Sequence, residues 1–264
     1  MKRIKNKFAE LRARNEKALI VYLTAGDPSL DVTKKLIFAL EKSGVDILEI
    51  GVPFSDPTAD GPVIQAAAQR SLKAGTTLEG VLKMVAKVRK VSNIPIVLFG
   101  YFNPIFAYGV KKFAQAARNA GVDGVLVVDL PYEEARELRD YTDAVGIDFI
   151  SLIAPTTDKE RLRKIVSKAS GFLYYISITG ITGTAAPKIG NIKTEVSKIR
   201  KITKLPIAVG FGISRPEQAR EIGRFADGVV IGSAVIRLID ENKNNGDLSK
   251  ILSDYISNIK KELR

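Results

Sequence analysis

Eight short runs rich in β-branched and aliphatic residues recur along this chain, at 18–24, 46–50, 95–99, 124–128, 148–152, 172–176, 206–209 and 228–231. Each is followed by a helical pattern. The runs are nearly continuous in apolar character, as expected of parallel strands buried on both faces. Three follow similar lead-ins, Gly44-Val45-Asp46, Gly121-Val122-Asp123 and Gly146-Ile147-Asp148, where glycine suits a helix C-terminus that turns directly into the next strand. Capping-box spacing marks helix starts at 76–79, 157–160 and 214–217. Eight alternating strand–helix units in about 250 residues predict a (β/α)8 barrel, the TIM-barrel architecture, as a single domain over residues 1–264. A doubly wound open sheet is the alternative, and eight strands at this spacing favour closure. Ile4, Phe8 and Leu11 at helical spacing add an amphipathic N-terminal helix, and further helices are expected in the loops and over 248–263.

Barrels of this kind place their active sites at the C-terminal ends of the strands. Composition narrows the chemistry available there. The chain has no Cys, which removes disulfides, thiolate nucleophiles and Cys-based metal sites. It has no His, which excludes Ser-His-Asp and Cys-His catalysis and most zinc sites. Acid–base work falls to Glu, Asp, Lys or Tyr. The net charge of +12 invites a nucleic-acid reading, but the Lys and Arg residues are scattered among acids, as in 133–139, with no aromatic-interleaved basic stripe. A solvated, ion-pair-laced surface accounts for the charge, which also helps attract an anionic substrate. The basic start is not followed by an apolar segment before Glu10, Arg12 and Glu16, and no apolar run approaches membrane-spanning length. A soluble, cytoplasmic protein is expected.

Residues 49–62 form the most informative stretch. They carry Glu49, Asp56 and Asp60 where an apolar strand becomes a Pro/Gly-punctuated loop. With side chains alternating by two, Ile47 and Glu49 share one face, so an inward-facing Ile47 makes Glu49 a buried carboxylate at the strand's C-terminal end. Asp60 lies on a loop able to fold back over that strand end. Two carboxylates in different surroundings hold different pKa values and divide acid and base roles. On spacing alone the alternative stands beside this: a Glu satisfied by a hidden Lys, with two Asp residues capping turns.

The last two strand ends read Gly210-Phe211-Gly212-Ile213-Ser214 and Gly232-Ser233-Ala234, and the sixth leads into a loop at 179–184 rich in Gly and Thr. Such loops let backbone N–H groups converge on a ligand, and a helix beginning near Ala234 would aim its N-terminus at the same point. Tight turns alone would explain any one of them. Together, in positions where barrels often bind phosphate, they predict a phosphorylated ligand. No Walker-type or well-formed dinucleotide fingerprint occurs.

The chain resembles the tryptophan synthase α-subunit family over nearly its whole length. The resemblance rests on 22–28, the block from Glu49 to Gln65, 129–131, 174–183 and the two Gly-rich ends. It implies retro-aldol cleavage of indole-3-glycerol phosphate to indole and glyceraldehyde 3-phosphate, without cofactor or metal. Glu49 would be the principal acid–base, Asp60 would hold the indole N1–H, and Tyr175 would be the supporting phenol. Thr182 and Gly183 would belong to a closing loop, Gly183, Gly212, Gly232 and Ser233 to the phosphate cradle, and Tyr22 and Phe211 to the indole pocket. The resemblance further implies a β-subunit partner in an α2β2 assembly, with pyridoxal phosphate confined to that partner. Pro53, Phe54, Asp56, Asn103 and Pro104 would face it, coupling the two through loops 2 and 6. Thr58 and Ile178 depart from the residues commonly found in the family. A stand-alone indole-releasing lyase, an allosteric activator with weak chemistry, and another sugar-phosphate barrel are the competing readings.

Overall fold

The computed structural model describes residues 2–176, 189–210 and 212–264. Nine parallel strands form one sheet: β1 (Ala18–Thr24), β2 (Ile47–Gly51), β3 (Ile96–Gly100), β4 (Gly124–Val127), β5 (Asp148–Phe149), β6 (Ser151–Ile153), β7 (Leu173–Ile176), β8 (Ile207–Gly210) and β9 (Gly228–Ile231). Twelve helices occur among the described residues: α1 (Arg3–Ala13), α2 (Leu30–Lys42), α3 (Pro62–Lys73), α4 (Leu78–Arg89), α5 (Phe102–Tyr108), α6 (Val110–Ala120), α7 (Arg136–Thr142), α8 (Lys159–Lys168), α9 (Ile189–Arg200), α10 (Pro216–Gly223), α11 (Ser233–Asn242) and α12 (Leu248–Lys261).

The strand order β5-β4-β3-β2-β1-β9-β8-β7-β6 begins and ends on one stretch of chain, so the sheet closes into the expected barrel. The fifth predicted run, 148–152, divides in two at Ile150. Its first half pairs with β4 and its second with β7, while Ile150 N–H donates to Val125 O at 2.9 Å. Staggered pairing of this kind is how a barrel closes.

Two apolar layers result from the two-residue period of the strands. One fills the barrel with Ile20, Ile47, Val97, Leu126, Ile150, Phe172, Ala208 and Val230. Ile4, Phe8 and Leu11 of α1 stop its lower end, with the Phe8 and Phe172 rings 5.7 Å apart. The other layer lies between strands and helices. Continuing each inward series upward brings Tyr22, Glu49, Phe99, Tyr174, Gly210 and Gly232 to the C-terminal mouth. At the opposite end Asp123 bonds Arg3 and Arg89, both at 2.9 Å, and buried Lys260 reaches Asp46 at 2.8 Å. Part of the basic excess is thus spent joining elements at the lower face. No described helix is long and apolar enough to cross a membrane.

Candidate active site

Glu49 is the third residue of β2, in register with Tyr22 of β1, and only 1% exposed. No cation pairs with it among the described residues, and its Oε1 has no hydrogen-bond partner there. The hidden-Lys alternative therefore has no support. Burial disfavours the charged form, pushing the carboxyl up to about 8. Around it stand Tyr22, Phe99 and Tyr174, with the Tyr22 and Phe99 rings meeting edge to face at 5.2 Å. Both phenols are held above their ordinary range, mainly by burial, with the Glu49 and Asp60 charges adding to it.

Two glycines make room for these rings. A Cβ at Gly51 would overlap the Tyr22 phenol, and one at Gly210 would overlap that of Tyr174. Close approach, rather than turn geometry, is what these positions require.

Asp60 arrives from the loop between β2 and α3 and is half-buried. Burial raises its carboxyl to about 6, and the hydrogen bond from Tyr101 acts in the opposite sense. The Tyr101 hydroxyl donates to Asp60 Oδ2 at 3.1 Å and accepts from Ala59 N–H at 3.0 Å. From the helix side, Gln65 Nε2 donates to Asp60 O at 2.8 Å. Tyr101 thus clamps the loop carrying the second carboxylate. It directly follows the third strand, at its C-terminal end, a position that marks it as near the mouth but not as the partner of Asp60.

A cleft of about 450 Å³ opens above these groups. Glu49 and the two phenols line it together with Gly212, Gly232 and Ser233. Helix α11 starts at Ser233, so its free N–H groups are presented where an anion would sit. Asp60 sits beside this space, its neighbours Ala59 and Gly61 lining it.

One assignment needs correction. Tyr175 does not face the cleft: it is packed in the layer between sheet and helices, and Tyr174 is the phenol beside Glu49. Adjacent strand residues point to opposite faces, so a one-residue slip in phase exchanges inside for outside. Of the loop residues, Pro53 is buried, Phe54 packs 5.3 Å from the Tyr101 ring, and Asp56 is exposed, accepting from Ser55 Oγ. Asn103 is exposed and Pro104 half-buried on α5, whose first N–H donates to Asp129 at 2.7 Å. Thr182, Gly183 and Phe211, with Ile178, lie outside the described residues. Among the described residues, no three His, Cys, Asp or Glu side chains gather as a metal site.

A family profile described as "Tryptophan synthase alpha chain" matches residues 8–262. The tryptophan synthase alpha chain of Citrifermentans bemidjiense is 49% identical over 260 residues, covering 98% of this chain and 97% of that one. Among solved structures, tryptophan synthase subunit alpha from Legionella pneumophila superposes with a TM-score of 0.94 at 40% identity, over 100% of this chain and 98% of that one. A structure titled as the basis of mutual activation of the tryptophan synthase α2β2 complex from Pyrococcus furiosus gives 0.85 at 38% identity, over 93% and 98%. By profile, identity and coverage together, the chain belongs to the tryptophan synthase alpha chain family.

Proposed function

We propose that the cleft cleaves indole-3-glycerol phosphate to indole and glyceraldehyde 3-phosphate, with Glu49 and Asp60 dividing the proton chemistry. The reaction is that of a carbon–carbon lyase. Glu49, held protonated near neutral pH by burial, delivers its proton to indole C3. The ring is then an iminium, and Asp60, ionised above about pH 6, stabilises it by accepting the N1–H hydrogen bond. Glu49, now a carboxylate, takes the proton of the hydroxyl on the carbon attached to C3. The C–O bond becomes a carbonyl, the C–C bond breaks, and its electron pair returns to the ring and quenches the iminium. The proton given stays on C3 of indole and another, from the hydroxyl, takes its place on Glu49, so the carboxyl is restored and no cofactor or metal is required of this chain. The Tyr22 and Tyr174 rings exclude water, while Gly212, Gly232 and Ser233 receive the phosphate at the N-terminus of α11.

The loop bearing Asp60 also carries Pro53, Phe54 and Asp56, which face a β subunit. That partner holds pyridoxal phosphate, consumes the indole and promotes closure of loops 2 and 6 around Thr182 and Gly183. The Pyrococcus complex, titled an α2β2 assembly with mutual activation, supports this arrangement. The assembly works in the cytoplasm, on a soluble phosphate ester.

The single observation supporting this reading is a buried Glu49, with no cation beside it and no partner for its Oε1 among the described residues, in a cleft that the N-terminus of α11 also lines. Its test is indole release from indole-3-glycerol phosphate by wild type and Glu49→Gln, each with and without a β subunit. Release abolished in the variant and raised by the partner is expected. Fast release without a partner would identify a stand-alone lyase, and no release at all would overturn the substrate.

A further inference from the structure

A phosphate monoester carries close to two negative charges near neutral pH, whereas a helix N-terminus offers about half a positive charge. A cation beside the N-terminus of α11 would offset the remaining charge. Among the described residues lining the cleft, Arg237 alone is cationic.

Arg237 lies on α11, four residues beyond Ser233 and thus on the same helical face. Long side chains on a helix lean back toward its N-terminus, which carries this guanidinium over the turn that begins at Ser233. The side chain is exposed, and it makes no ion pair among the described residues. Of the acids near it on α11, Asp240 is engaged by Arg70 and Lys243, and Glu241 lies one turn in the opposite direction. Residues 177–188 contain no carboxylate. On its other side, Tyr255 of α12 donates its hydroxyl to Ser214 O at 2.9 Å, and the positive charge of Arg237 acts on that phenol. Arg237 therefore stands between the loop after β8 and the start of α11. The same cleft is lined by Glu49, whose buried Oε1 has no hydrogen-bond partner among the described residues, so the guanidinium overlooks a space already built for a polar ligand.

We infer that Arg237 is a phosphate-positioning residue, its guanidinium supplying the full positive charge that the backbone cradle over α11 lacks. This rests on the reading of the cleft as a phosphate-ester site and adds a residue to it. As a flexible, solvated side chain it would contribute at the lower end of charge-assisted hydrogen bonds, about tenfold in affinity.

The test is titration of inorganic phosphate into the full chain by calorimetry, alongside KM for indole-3-glycerol phosphate. The chains compared are wild type, Arg237→Gln, Arg237→Lys and Lys250→Gln. Lys250→Gln removes the same net charge at an exposed position of α12 that does not line the cleft. Arg237→Gln should weaken phosphate binding about tenfold and raise KM in parallel, with Arg237→Lys recovering part of the loss and Lys250→Gln shifting binding less than twofold. Wild-type affinity in Arg237→Gln, or equal weakening in Lys250→Gln, would overturn the role of Arg237 while leaving the site intact. A wild type that neither binds phosphate nor releases indole would overturn the site and this inference together.

Discussion

The Tyr101 hydroxyl donates to Asp60 Oδ2 at 3.1 Å across 41 residues of sequence, and the phenol oxygen itself accepts from Ala59 N–H. The bond to the carboxylate favours its charged form and opposes the upward push of burial. Tyr101→Phe should therefore raise the Asp60 pKa and move the acidic limb of the rate profile, set near pH 6, to higher pH. A loss of up to about tenfold in kcat/KM at pH 7 follows from one such bond. An unmoved acidic limb in a pH series would show that Tyr101 does not tune Asp60.

Glu49 and Asp60 together define a window. Asp60 must be ionised, above about 6, and Glu49 protonated, below about 8. A bell-shaped kcat/KM profile between those limbs is expected. Glu49→Gln should lose on the order of 10²–10⁴ in rate and abolish the basic limb in any residual activity.

The same burial predicts an opposite effect on stability. The folded Glu49 pKa lies above its unfolded value, so the native state binds more protons and stability falls as pH rises from about 4.5 to about 8. Glu49→Gln removes that penalty. Thermal denaturation should place the variant level with wild type near pH 4.5 and a few degrees above it at pH 8; a lower melting temperature at pH 8 would contradict the isolation of this carboxyl.

Consecutive tyrosines offer a test of strand phase. Tyr174→Phe should reduce kcat/KM, by up to about tenfold, because its phenol lies in the cleft. Tyr175→Phe should act on stability alone, since that ring packs under the helices. Steady-state rates and melting curves of the two variants separate the faces.

Arg70 of α3 forms two bonds to Asp27 at 2.9 and 2.7 Å and reaches Asp240 of α11 at 3.3 Å. It ties the helix after the Asp60 loop to the helix of the anion site. The Asp27 side chain is buried, so Arg70→Met leaves a charge there without its partner and should cost about 3 kcal/mol in urea denaturation. Arg70→Lys should recover only part, because an ammonium cannot make the paired bonds of a guanidinium.

The barrel was legible because it repeats. Eight apolar runs separated by helical patterns admit few topologies, and the three Gly lead-ins mark where the helices before them end. Glu49 was legible from its place after Ile47 at a strand end, and the anion cradle from glycines at the last two strand ends. Tyr101 was not, because nothing local links it to a carboxylate 41 residues earlier. Arg237 was not, because one arginine among many carries no sign of what it faces.

Sequence alone determined the closed parallel architecture, the restriction of acid–base chemistry to carboxylates, lysines and phenols, and the placing of two carboxylates at and just after a strand end. These follow from composition and from periods of two and 3.6 residues, which are local properties of the chain. Tertiary structure alone decided that Tyr174 rather than Tyr175 faces Glu49. Strands buried on both faces carry no polar side to set their phase, so only pairing with β6 and β8 orients them. It also decided that no cation among the described residues reaches Glu49. That absence, rather than the residue's identity, leaves desolvation unopposed and makes the carboxyl an acid near neutral pH.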